Sequence, residues 1–260
     1  EPTVVMPDFV ARFEGWDLRT MTAADAERMR AQAEEILARQ DGLLQRQLDR
    51  LARQRSGQPD LYFLGAAPYG GQPTFVAELA AVRKLMDESF DTGGRSVALM
   101  NHNATLAAVP IATVSNLRLA LGQLGELLDR EEDVLLLFLT SHGTPEHQLA
   151  FDLPPLRLNQ LNPTMLARML ADSGIKWRII VLSACYSGGF IEPLRDANTA
   201  VITASDANHP SFGCEAESQS TWFGRAFIDE ALREEAVNGT YSLEAAFARA
   251  RKTVAERERT

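Results

Sequence analysis

The 260-residue sequence is poor in cysteine: Cys185 and Cys214 allow at most one disulfide and exclude a four-cysteine zinc site. It also lacks a long apolar run. The longest, residues 134–139, is strand-sized and far short of the ~18–20 residues that cross a bilayer. Basic charge is in deficit, with 26 Lys and Arg against 35 Asp and Glu for a net charge of −9. A surface that binds a phosphate backbone needs clustered cations, so a nucleic-acid partner is not expected. There is no internal repeat and no low-complexity tract. What is present, 45% hydrophobic and 23% charged residues, is the balance of an ordinary globular protein and excludes disordered, collagen-like and disulfide-stapled classes. The first residue is Glu1 rather than Met, which reads as a processed chain that a signal peptide or membrane anchor could have preceded.

The sequence divides near residue 60, into an N-terminal helical arm and linker (1–59) and a main domain (60–260). Residues 22–55 are rich in Ala, Gln, Arg and Glu, and Met29, Ala33, Leu37, Leu44, Leu48 and Leu51 recur at helical spacing or its multiples. Thr22 suits a helix N-cap, and Gly42 divides the helix. This arm is expected to pack on the main domain and to stand outside the chemistry.

From Leu61 strands and helices alternate. Strands are predicted at 61–64 (ending at Gly65), 96–100, 133–140, 177–183 and 200–204, and helices at 75–90, 113–129, 162–173, 219–235 and 242–257. Continuous apolar strands separated by helices predict an α/β fold with a mostly parallel sheet and helices on both faces. The strand at 133–140 is apolar on both faces and belongs in mid-sheet.

In such sheets the active crevice lies beyond the carboxyl ends of the strands. Thr140-Ser141-His142-Gly143 follows the third strand, and Ser183-Ala184-Cys185-Tyr186-Ser187-Gly188-Gly189 follows the fourth. If these strands are neighbours, His142 and Cys185 emerge side by side. A thiol is nucleophilic as thiolate, and a nearby imidazole can take its proton. The flanking glycines leave backbone N–H groups able to face a substrate oxygen. His102 and His147 lack such a context. A zinc site among His102, His142 and His147 would need a carboxylate such as Glu146, so no metal and no cofactor is expected. Gly188-Gly189 is not a phosphate loop, because no Lys-Ser/Thr follows it.

Phe138-Leu139-Thr140-Ser141-His142-Gly143 resembles the strand–His-Gly motif of the legumain-like cysteine peptidases, and Ser183-Ala184-Cys185-Tyr186-Ser187-Gly188-Gly189 resembles their nucleophile motif. Thr203-Ala204-Ser205-Asp206, Ser211-Phe212-Gly213-Cys214 and Ser220-Thr221-Trp222-Phe223-Gly224 resemble the stretch lining that family's specificity pocket, with wording closest to its bacterial branch. The resemblance covers about residues 61–232. It implies a three-layer caspase-like sandwich with a mostly parallel six-stranded sheet. It also implies a metal-independent Cys–His endopeptidase acting on peptides or proteins. By this resemblance Cys185 is the nucleophile, His142 the acid/base, and the N–H groups of Gly143 and Cys185 the oxyanion donors. Ser205, Asp206, Ser211, Arg225 and Glu192 are the candidate substrate-binding residues.

Two departures bear on specificity. Legumains place a basic residue after the first strand and an acid after Ser-Thr-x-x-Gly. Here residues 66–74 contain no Arg, His or Asn, and Arg225 follows Gly224. The preference for asparagine before the cut bond therefore does not carry over, and the Asn that orients the catalytic His in legumains has no evident counterpart. If Arg225 enters the pocket unpaired, Asp or Glu is favoured there. If Asp206, Glu215 or Glu217 neutralises it, Asn or Gln fits. An Arg225 on the outer face of a helix would not meet substrate. A transamidase using the same dyad and an inactive caspase-like interaction module are the alternative functions. The resemblance favours an extracytoplasmic location, including membrane attachment through a segment outside this sequence. Oligomeric state is left open.

Overall fold

The computed structural model describes residues 23–40, 42–211 and 220–259. Five parallel strands, β1 (Leu61–Ala67), β2 (Ser96–Met100), β3 (Val134–Thr140), β4 (Trp177–Ser183) and β5 (Thr199–Thr203), lie in the order β2-β1-β3-β4-β5. β3 is the central strand. The expected sixth strand is not among the described residues.

The pleat sends alternate side chains into two cores. Tyr62, Leu64, Ala66, Leu135, Leu137, Leu139, Ile180 and Leu182 face α4 (Val114–Leu127) and α5 (Pro163–Ser173). Phe63, Ala67, Leu136, Phe138 and Val181 face α3 (Pro73–Ser89), the C-terminal helix (Leu243–Arg257) and the helical stretch before it. Each fully buried Leu or Phe contributes about 1.5–3 kcal/mol, so the two cores hold the layers together. Helix ends follow the sequence signals. Thr113 accepts a hydrogen bond from the Asn116 N–H at 3.0 Å, Asn162 from that of Met165 at 2.9 Å, and Pro163 opens α5.

β1 runs past Gly65 to Ala67, two residues beyond the expected terminus. Gly65 is there because α3 comes close: a Cβ at this position would overlap the Leu79 side chain. The glycine marks a helix–strand contact and not a strand end.

The arm forms α1 (Ala23–Arg39) and α2 (Leu43–Leu48), separated at Gly42, which has φ 67°. Its stripe departs from the expected one at a single position. Ile36 is 8% exposed and packs against Leu106, Ile111 and Leu153, whereas Leu37 is 55% exposed. Met29, Ala33, Ile36 and Gln40 lie three to four residues apart on one face, and Leu37 falls beside it. The expected Thr22 cap lies outside the described residues. Leu48 joins the α4 core, and the Tyr62 hydroxyl donates to the Ala52 carbonyl at 2.9 Å. Two glutamines act as surrogate strand residues. Gln47 accepts from the Ala98 N–H at 3.0 Å and donates to its carbonyl at 3.2 Å, which closes the outer edge of β2. Gln40 pairs in the same way with the Ile111 N–H at 2.8 Å and the Leu106 carbonyl at 2.9 Å.

Candidate active site

The site grows from the paired ends of β3 and β4. Thr140 is in register with Ser183, and the Ser141 N–H donates to the Ser183 carbonyl at 3.2 Å. Each chain then leaves the sheet, one carrying His142 and the other Cys185. Gly143 packs directly on the Cys185 peptide, where a Cβ would overlap the Cys185 carbonyl. Only glycine fits, and its N–H has no acceptor among the described residues.

The imidazole of His142 lies edge-on to two rings, Tyr69 at 4.6 Å and Phe75 at 5.0 Å between centroids. Tyr69 comes from the loop after β1 and Phe75 from the first turn of α3. Burial among these rings holds the His142 pKa below the usual imidazole value, so the ring is neutral near pH 7. A neutral imidazole can accept the thiol proton.

Cys185 is half-buried. Its Sγ accepts a hydrogen bond from the Ser211 N–H at 3.3 Å, and the Ser211 hydroxyl lies 3.6 Å away. The Ser211 carbonyl lies 3.5 Å from Sγ and accepts from the thiol, so one residue both donates to and accepts from this sulfur. The turn after Cys185 is tightly held. Tyr186 has φ 54°, and its N–H donates to the His209 carbonyl at 3.1 Å. A Cβ on Gly188 would overlap the backbone of Asp206, and one on Gly189 the ring of His147. Ser205 props this turn: its hydroxyl donates to the Ala184 carbonyl at 3.2 Å and accepts from the Ser187 N–H at 3.2 Å.

The structure thus gathers Cys185, His142, Gly143, Ser205 and Ser211 at two neighbouring strand ends. The other candidates are differently engaged. Asp206 accepts from the N–H groups of Asn208 (2.7 Å) and His209 (2.9 Å) and faces His209 Nδ1 at 2.7 Å, contacts that lower its pKa. Its carboxylate organises its own loop. Glu192 has an 85% exposed side chain 3.7 Å from Arg195. Arg225 is 68% exposed, with its guanidinium 3.4 Å from Glu230, the arrangement of an outward-facing helical residue. Cys214, Glu215 and Glu217 lie outside the described residues. Among the described residues no three His, Cys, Asp or Glu side chains converge on a cation position.

One buried charge-bearing group at the site went unread in the sequence. Glu78 of α3 is 1% exposed and lies beneath both strand ends. Thr140 donates to its Oε2 and Thr221 to its Oε1, the latter at 2.7 Å. The Ser183 hydroxyl lies 3.0 Å from that of Thr221 and 3.4 Å from Oε1. Burial raises the Glu78 carboxyl from 4.5 to about 7 against the opposing effect of these hydroxyls, with Asp229 adding a smaller push upward. A carboxyl whose folded pKa is raised stabilises the fold below its unfolded pKa and loses that contribution as pH rises through the folded value. Native stability is therefore expected to drop on the order of 3 kcal/mol more between pH 4.5 and 7.5 in wild type than in Glu78→Gln. Urea unfolding of both proteins across this range measures the difference, and parallel curves would refute it.

Comparison with known proteins agrees with this geometry. Among solved structures, the crystal structure of caspase-1 from Spodoptera frugiperda is similar, with a TM-score of 0.51 at 13% identity over 75% of this chain and 77% of that one. At that identity the likeness establishes the fold, a caspase-like three-layer sandwich. No curated protein matches the sequence. The model of the Peptidase C13 family matches residues 78–260, a span that begins at Glu78 and contains both His142 and Cys185. The chain belongs to the Peptidase C13 family, the legumain family of cysteine peptidases.

Proposed function

We propose that the protein is an endopeptidase that cuts peptide bonds through a Cys185 thioester, with His142 moving the protons. The observation that carries this reading is the register of Thr140 with Ser183, which delivers an imidazole and a thiol from adjacent strands. His142 takes the Cys185 proton, and Sγ attacks the carbonyl carbon. The oxygen becomes an oxyanion facing the N–H groups of Gly143 and Cys185. As the C–N bond breaks, the imidazolium returns its proton to the leaving amine. His142 then deprotonates water, which attacks the thioester and frees the carboxylate and the thiol. The Ser211 N–H on Sγ and the neutral, ring-packed His142 support both halves of this exchange.

The test is a peptide-library cleavage assay with Cys185→Ala as control. Cleavage that persists in the variant would defeat the assignment. The same library addresses specificity. Because Arg225 pairs with Glu230 on an exposed helix face, Arg225→Asp is expected to leave the residue preferred before the cut unchanged. A switch in preference would bring Arg225 back to the pocket.

A further inference from the structure

We propose that Glu78 is a positioning residue of the peptidase site: its carboxyl group sets the placement of the two strand ends that carry His142 and Cys185. The proposal rests on the Cys–His reading above.

Thr140 stands two residues before His142, and Ser183 two before Cys185, in register across β3 and β4. Thr140 and Ser183, in register on adjacent parallel strands, present their hydroxyls to the face that α3 covers. On that face Phe75 meets the His142 ring, and one helical turn later Glu78 meets both strand ends. A single helix thus touches the imidazole directly and the side-chain hydroxyls of both strand ends. Thr221 and Thr140 donate to the two carboxyl oxygens, the Ser183 hydroxyl lies 3.0 Å from that of Thr221 and 3.4 Å from Glu78 Oε1, and Thr221 accepts the Gly224 N–H at 2.9 Å. The Thr221 hydroxyl also N-caps the helix beginning at Trp222, so the network reaches the stretch leading to Arg225. Packing alone would favour an apolar residue here, because burying a carboxyl is costly unless its bonds are made. Two planar acceptors 1% exposed between three hydroxyls fix directions that a methyl group cannot.

A displacement of about 1 Å in a reacting group can cost 10²-fold in rate. Glu78→Ala is therefore expected to lower kcat by roughly 10- to 100-fold with KM within about threefold of wild type. Alkylation of Cys185 by iodoacetamide, followed by peptide mapping, should slow in the same variant with its pH profile displaced upward, since the imidazole no longer sits to take the thiol proton. Glu78→Gln keeps the shape and one acceptor, and rotation of the Thr140 hydroxyl lets it accept from the new amide, so Gln should recover most of the lost kcat. Thr140→Val breaks one tie at constant volume and serves if Glu78→Ala does not fold; its kcat should fall several-fold at unchanged KM. If the folded variants keep wild-type kcat and the wild-type alkylation profile while only Tm falls, Glu78 is structural and the proposal is overturned. Failure of the underlying reading looks different: the wild-type Cys185 would itself alkylate no faster than an unactivated thiol.

Discussion

Cys185→Ala is expected to abolish peptide cleavage, and His142→Ala to lower kcat by about 10²- to 10⁴-fold, the range that proton transfer typically contributes. The two variants should separate in stability. Cys185 is half-buried at the mouth of β4, outside the apolar strand body, so its removal leaves Tm nearly unchanged. His142 gives up two edge-to-face contacts, with Tyr69 and Phe75, each worth about 0.5–1.5 kcal/mol, so Tm should fall by several degrees. Single-turnover cleavage and thermal melts on the same samples check both statements. Near wild-type turnover by His142→Ala would end the dyad assignment.

Deleting residues 1–58 is expected to cost most of the stability of the remaining domain. The arm lies outside the chemistry in sequence, yet it is bound into the fold. Buried Ile36, Leu43 and Leu48 contribute about 1.5–3 kcal/mol each. Removing Gln47 and Gln40 leaves the N–H groups of Ala98 and Ile111 and the carbonyls of Ala98 and Leu106 without these partners. Where water cannot replace them, each costs about 1–3 kcal/mol. Arg55 is also lost from the buried carboxylate of Asp60, where it donates from Nε at 2.7 Å. These losses rival the 5–15 kcal/mol by which a domain is stable. Denaturant titration of the truncated chain should show a shifted or absent transition, with β2 exposed as an open edge. A truncated protein as stable as the full chain would mean that the two glutamines and three apolar anchors are redundant.

Which features were legible in the sequence follows from how each is encoded. β2 and β4 begin and end where expected, because apolar runs bounded by turn residues leave little choice. The placement of residues 142 and 185 just past two adjacent strand ends was legible because the apolar strands and the glycines after them announce it. Gly65 was misread as a terminus because the reason for it lies in α3, not in its neighbours along the chain. In the arm Leu37 was taken for the packed residue because Ile36 and Leu37 are equally apolar, and only the partners Leu106, Ile111 and Leu153 choose between them. Tyr69 and Phe75 were missed since ring contacts with an imidazole have no spacing signature. Glu78 did leave a trace: it lies on the stripe of Phe75, Leu79 and Val82, where a solvated carboxylate has no place.

The tight fit between Glu78 and Gly224 has a consequence for how related sequences diverge. A Cβ at position 224 would overlap Glu78 Oε1, while Thr221 fixes that oxygen from the other side. Position 224 cannot gain a side chain while glutamate stands at 78. A chain that acquires alanine or serine at 224 must shorten the side chain at 78, and a chain that keeps glutamate at 78 is confined to glycine at 224. The two positions, 146 residues apart in sequence, should therefore be inherited as a pair, and an alignment of relatives in which they vary independently would show that the helix and the strand ends can move apart.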